Sequence, residues 1–311
     1  MKKDQPKISI VFINWNGKKD TFKLLESLSK INYENFDVIV IDDASTQDIS
    51  VDFEKKWSGF ATLLKNKKPL GYAESTNICI KEAMKRKSKY ILSMNNDMIV
   101  DKNFLNILVD SMEKHPEVAV STPMIYYMKP KNMIWCAGCK RTIRGFKPLN
   151  QREIDKGQVG GEKYVDACDC VLMLRTKALK DIGLFDKSFF LIHELTELCL
   201  RATKKGYKCL FVPDSKVWHK VSASITKNNI GNEKTTYFTI RNWLLTVKRN
   251  ESFFRFLVAL FLELTFLAFI RFIKYAKNNN LKLIKTYYIA IWHALIDYTP
   301  LEAYPFKENK R

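Results

Sequence analysis

Two rhythms of apolar residues share the first third of the chain. Uninterrupted apolar runs rich in β-branched residues occur at 8–13 (ISIVFI), 36–41 (FDVIVI), 90–94 (YILSM) and 118–121, with a weaker one at 60–64. Each has the length and composition of a buried strand. Between them, apolar residues return every three or four positions: Phe22, Leu25 and Leu28 within 20–30, with similar patterns over 73–86 and 104–112. That spacing predicts helices with one packed face. Strands alternating with helices predict an α/β fold, a mostly parallel sheet flanked by helices. Sheets of this kind bind ligands at the carboxyl ends of their strands.

The pattern then loosens. Residues 165–175 (VDACDCVLMLR) predict a core strand, 176–182 a short helix and 183–186 a turn. A helix follows over 193–204, with Leu195, Leu198 and Ala202 spaced for packing and Lys204, Lys205 and Gly206 as its stop. Residues 208–212 read as a strand, and a polar loop at 226–236 precedes a C-terminal segment of different character.

The strand ends hold the candidate chemistry. Asn14-Trp15-Asn16-Gly17 follows the first strand, Asp42-Asp43-Ala44-Ser45-Thr46 the second, and Asn95-Asn96-Asp97 the YILSM strand. No GxGxxG follows the first strand and no GxxxxGK[ST] occurs, so dinucleotide-binding and P-loop readings lose their main support. Taken alone, Asn95 to Asp97 reads as a polar turn.

Composition adds two limits. The chain has 52 Lys+Arg against 33 Asp+Glu, a net +19, with 46% apolar residues. That is globular rather than disordered, and the charge points to anionic partners. Seven cysteines is an odd count without the spacing of a secreted disulfide scaffold, so reduced thiols in a cytosolic setting are expected. Cys136 and Cys139 have zinc-knuckle spacing, but Cys168 and Cys170 are too close together to complete the usual four-ligand pattern, which favours buried thiols. The apolar run at 8–13 is too short for a signal peptide and has no cleavage site after it.

In order along the chain stand INWNG (13–17), IDDAST (41–46), LGYAESTN (70–77), MNNDMIV (94–100), LRTKALKDIGLFDKSFFL (174–191), ELCLRATKKGY (197–207) and VPDSKVWHKVSAS (212–224). This series resembles the family 2 glycosyltransferases with the GT-A nucleotide-diphospho-sugar transferase fold, closest to the rhamnosyltransferase-like group. The resemblance implies a catalytic domain over 1–225, its nucleotide-sugar half ending near 125. A connector over 226–250 and membrane-associating C-terminal helices over 251–311 would follow.

The resemblance also implies roles. Asp97 would hold a divalent cation, Mg2+ or Mn2+, that neutralises the donor diphosphate, with His219 as second ligand; oxygen donors suit such hard cations. Asn14, Asp42 and Ser45 would meet the base of a UDP- or dTDP-sugar. Gly71, Asn77, Asn95 and Asn96 would lie along its ribose and diphosphate. Glu74-Ser75 stands where the family favours Gly-Gly. The family's general base is an Asp in a Glu-Asp pair, and here Glu194 aligns with the Glu while Leu195 takes the place of the Asp. Glu194 and Glu197, at i and i+3, are the remaining candidates, with Glu194 favoured. The expected reaction is inverting transfer to a hydroxyl. Leu195 also supports a different reading, a weak or inactive relative that binds nucleotide-sugar or partners. A nucleotidyltransferase lacks its basic glycine-rich opening loop here.

Residues 253–273 (FFRFLVALFLELTFLAFIRFI) are apolar but interrupted by Arg255, Glu263 and Arg271. Residues 271–285 carry five basic side chains and no acidic one, and a second apolar run at 286–296 follows. Interfacial helices on an anionic membrane surface are expected, on the cytoplasmic side, more than a span or an oligomer interface. A lipid-linked or surface-polysaccharide acceptor fits that placement. Scattered lysines without an RNA-binding or DNA-binding signature argue against nucleic acid.

Overall fold

The computed structural model describes residues 5–143, 145–221, 233–277 and 280–298. Its first half is β1 (Ile8–Asn14), α1 (Lys18–Leu28), β2 (Phe36–Asp42), α2 (Ser50–Trp57), β3 (Ala61–Lys65), α3 (Gly71–Lys85), β4 (Tyr90–Met94), β5 (Met98–Val100), α4 (Phe104–Lys114) and β6 (Val118–Tyr127). The second half holds β7 (Ile134–Cys136), β8 (Cys139–Thr142), β9 (Gly145–Pro148), β10 (Lys163–Val165), β11 (Val171–Arg175), α5 (Thr176–Ile182), α6 (Glu194–Lys204) and β12 (Lys208–His219). Four further helices follow among the described residues: α7 (Glu233–Asn250), α8 (Phe253–Leu264), α9 (Phe266–Lys277) and α10 (Lys282–Leu295).

The main sheet runs β10-β12-β6-β11-β4-β1-β2-β3, with β5 on β12 and β7 on β6. β3, β2, β1 and β4 are parallel neighbours. The apolar runs of β1, β2 and β4 are buried on both faces, as helices on either side of a parallel sheet require, while the edge strand β3 is only half-buried. β11 inserts antiparallel between β4 and β6, so the sheet as a whole is mixed. The order reverses at β1, since β2 leaves on one side and β4 on the other. That switch point opens the crevice at the carboxyl ends of these strands.

One expectation changes, and two further segments differ in extent. The predicted strand at 165–175 splits into β10 and β11 around a loop with Cys170 at φ 59°. The predicted polar loop at 226–236 lies outside the described residues up to 232, and 233–236 already belong to α7. The apolar run at 253–273 is not one helix. It breaks at Thr265 (φ −117°, ψ −94°) into two helices of 12 residues.

α7 packs Tyr237, Phe238, Leu244 and Val247 with Phe190, Phe256 and Tyr287 in a second core beside the main one. Of the charges that interrupt the C-terminal apolar run, Glu263 and Arg271 turn inward while Arg255 stays exposed: Glu263 is 2% exposed, pairs with Arg271 and accepts from the Tyr287 hydroxyl. Outside, Phe253, Phe254, Leu257, Phe261, Phe269 and Phe272 stay exposed. All seven cysteines are free and buried. Cys136 and Cys139 have their sulfurs 3.8 Å apart, while the Cys168 sulfur gathers with Cys199 and Cys209 rather than with that pair.

Candidate active site

A chain of side-chain hydrogen bonds links the three polar strand ends. Asn14 Nδ2 donates to Asp42 Oδ1 (2.5 Å) and to Ser45 Oγ (3.1 Å). Thr21 of α1 donates to Asn14 Oδ1 (2.9 Å), and Asn96 Nδ2 donates to Thr21 Oγ1 (2.9 Å). Gly17 makes this approach feasible, since a Cβ there would meet Asn96 Nδ2 at 2.6 Å. Asp42 also receives the Ser45 hydroxyl (2.7 Å) and backbone N–H (3.1 Å), an Asx-type closure that fixes the carboxylate at the mouth of the crevice.

Asp43, its neighbour, has a different task. It accepts from Asn66 Nδ2, Leu70 N, Gly71 N and Ser75 Oγ, all between 2.7 and 3.0 Å. This carboxylate ties β2 to the start of α3 and accounts for the buried Ser75. Gly71 sits at φ 80°, where a Cβ would strike the Phe190 carbonyl at 2.4 Å, so glycine is required on both counts. Asn77 spends both ends of its amide on the Phe185 backbone (2.7 and 3.0 Å). It joins α3 to the segment before α6.

Asp97 and His219 come together from distant parts of the chain. β12 pairs antiparallel with β5, setting His219 opposite Met98. His219 Nε2 then lies 3.0 Å from Asp97 Oδ1. His219 is 5% exposed and its Nδ1 has no hydrogen-bond partner among the described residues. Asn95 donates its backbone N–H to Cys170 O (3.3 Å), which fixes the loop that carries Asp97 against the start of β11. The Asp97 carboxylate and the His219 Nε2 converge on one point and supply the O and N donors that a divalent cation accepts.

The two glutamates of α6 part company. Glu197 is clamped by Arg201 Nε (2.7 and 2.9 Å) and reached by Asn250 Nδ2 (3.3 Å). Arg201 continues to the carbonyls of Ile182 and Leu184, so Glu197 serves helix packing. Glu194 is 5% exposed, and its Oε2 has no partner among the described residues. Burial pushes its carboxyl up to about 8; its own backbone N–H opposes this and Asp169 adds to it. The i, i+3 spacing therefore does not bring both acids to one place. Leu195 is buried in the main core.

Asp169 and Tyr72 were not singled out by the sequence. β11 pairs with β4 so that Val171 faces Met94, which brings Asp169 beside the Asn95–Asp97 loop. Burial raises the Asp169 carboxyl, while the nearby His219 pulls it down. Tyr72 hydrogen-bonds Ser93 (3.1 Å); burial raises its phenol, and the charges of Glu194 and Asp169 add to that. Strand register brings Asp169 here and the packing of α3 on β4 brings Tyr72, and no local spacing signals either.

The turn into α6 is strained. Ile192 (φ 70°) and His193 (φ 73°) both adopt left-handed backbone, rare for a β-branched residue. Asn242 of α7 holds the turn by donating to Leu191 O (2.7 Å) and Ile192 O (2.8 Å). Such strain persists where surroundings over-determine it, often beside a functional group.

Residues 9–183 match the family described as glycosyl transferase family 2. The O-antigen biosynthesis protein RfbC of Myxococcus xanthus is 24% identical over 254 residues, 77% of this chain and 19% of that protein, so the chain spans about a fifth of its length. An uncharacterized glycosyltransferase of Haemophilus influenzae is 22% identical over 260 residues, 79% of this chain and 80% of its own. Among solved structures, GalNAc-T7 with UDP, GalNAc and Mn2+ superposes with a TM-score of 0.61 at 18% identity, over 78% of this chain and 48% of that one. The mannosyltransferase PcManGT from Pyrobaculum calidifontis, with GDP-Man and Mn2+, gives 0.55 at 13% identity, over 94% and 76%. The fold is thus that of the GT-A transferases.

Proposed function

The chain belongs to glycosyl transferase family 2, and from that premise we propose an inverting transfer of a sugar from a UDP- or dTDP-sugar to a hydroxyl of a lipid-linked or surface-polysaccharide acceptor. The observation that carries the reading is the meeting of Asp97 and His219 at 3.0 Å beside the end of β4. In this reading Asp97 and His219 hold Mg2+ or Mn2+, which when bound offsets the charge on the departing diphosphate. The Mn2+ present with UDP and with GDP-Man in the two structural neighbours supports that choice. Asp42, oriented by Asn14 and Ser45, accepts a hydrogen bond from the N–H of the base. Asn95 and Asn96 line the phosphate side of the crevice, with Gly71 at its far wall.

Glu194 is the general base. Its unpartnered oxygen is free to accept the proton of the acceptor hydroxyl, and a base whose affinity sits near working pH transfers protons efficiently. The second reading, a weak or inactive nucleotide-sugar-binding relative, rests on Leu195, an apolar core residue at the family's Asp position.

Calorimetric titration with UDP, dTDP, GDP and CMP, with and without Mn2+, tests the donor site. Metal-dependent binding of a single nucleotide, lost in Asp97→Ala, is expected. Equal binding without metal, or in Asp97→Ala, would overturn the metal assignment. Binding without any turnover of the matching nucleotide-sugar would favour the second reading.

A further inference from the structure

Three sulfurs from three elements meet in the core. Cys168, Cys199 and Cys209 are each 1% exposed or less, and their sulfurs all lie within 4.8 Å of one another. Cys168 comes from the loop between β10 and β11, Cys199 from α6 and Cys209 from the start of β12. No spacing motif joins them. The register of β12 on β10, which sets Cys209 opposite Val165, and the packing of α6 on β12 bring them together.

The triangle has ligating size. Three sulfurs held at about 2.3 Å by one ion stand about 4 Å apart. Cys168 also donates its backbone N–H to Cys199 Sγ (3.4 Å), the contact that backbone amides make to ligating thiolates. Among the described residues no fourth Cys, His, Asp or Glu joins the group. A structural zinc ion takes four ligands, whereas copper(I), a softer ion, is satisfied by three thiolates.

We propose that Cys168, Cys199 and Cys209 form a three-sulfur site for copper(I). The ligating sulfurs give up their protons to solvent as the ion enters. Each of the three elements also carries a residue of the candidate active site. Asp169 follows Cys168, Glu194 opens the helix of Cys199, and His219 ends the strand of Cys209. The ion ties these elements to one another and takes no part in the transfer itself, so the proposal stands apart from the glycosyl-transfer reading.

The test uses the full chain, purified anaerobically with its thiols reduced, and copper(I) delivered as its bicinchoninate complex, whose colour fades as the ion leaves it. Transfer of one equivalent is expected, with a sulfur-to-copper charge-transfer band in the ultraviolet. X-ray absorption should count three sulfurs around the ion, a readout that needs no variant. Cys199→Ala should weaken binding by at least about tenfold. Cys136→Ala with Cys139→Ala, which removes the neighbouring sulfur pair, should bind as wild type, and so should Asp97→Ala. Tm should rise with free copper(I). No transfer, a two-sulfur shell, loss of binding in the Cys136 and Cys139 variant, or tighter retention of zinc than of copper(I) would each overturn the proposal.

Discussion

Glu194 combines two unfavourable surroundings, a buried site and the neighbouring carboxylate of Asp169, and under the proposed reading both activity and stability turn on it. Its folded value near 8 exceeds the ordinary 4.5, so the folded state binds the extra proton between those limits. The sign follows: the proton-linked stability is whole below about 4.5 and is lost as pH rises to about 8, on the order of 5 kcal/mol across the window. A base must be ionised, so kcat should climb with pH through about 8 and then level. Glu194→Gln should lower kcat about 10²–10⁴-fold while gaining stability over wild type as pH rises, read by melting at pH 5 and pH 9. A variant with normal kcat would remove Glu194 from the chemistry. Glu197→Gln should do the reverse, costing about 2 kcal/mol of stability through its Arg201 pair, with kcat close to wild type.

At the scale of elements, the turn at 191–193 is held from outside by Asn242 rather than by its own sequence. Asn242→Ala leaves two backbone carbonyls without their donor. It should cost about 1–3 kcal/mol in a denaturant titration and reduce kcat while leaving the affinity for nucleotide intact. A matching loss of nucleotide affinity would mean that the turn serves the donor side instead. The same contrast explains what the sequence made legible. β1, β2, β4 and their helices carry their own hydrophobic period, and the polar residues at their ends needed only the rule that such sheets bind at strand ends. Asp42, Asp97 and the Asn14 link were visible on that basis. Asp169 was not, because it reaches the site only through the antiparallel register of β11 on β4. The division of labour between Glu194 and Glu197 was hidden too, since Arg201 and Asn250 decide it from other turns and another helix. The break at Thr265 has no glycine or proline to announce it.

For the whole molecule, the C-terminal helices carry the proposed association with a bilayer. Residues 253–277 have the length and apolarity to cross one, yet α8 and α9 are 12 residues each, about 18 Å, against a hydrocarbon core of about 30 Å. With Glu263 and Arg271 paired inside, the exposed face is mostly apolar, with Arg255 at its start, and suits shallow insertion, with Lys274, Lys277, Lys282 and Lys285 nearby for anionic headgroups. Flotation with vesicles should show binding to anionic lipid that falls at high salt and is lost in Phe261→Glu with Phe269→Glu. Salt-independent binding, or a dimer that those changes dissolve, would assign the face to another partner. The inward pairing of Glu263 has a kinetic consequence. Under the proposed membrane reading, a catalyst on such a face would meet a lipid acceptor by lateral diffusion, so its rate would follow the acceptor's mole fraction in the film and not its amount per litre. Adding inert lipid at constant acceptor would then slow the reaction by surface dilution, although nothing in solution had changed.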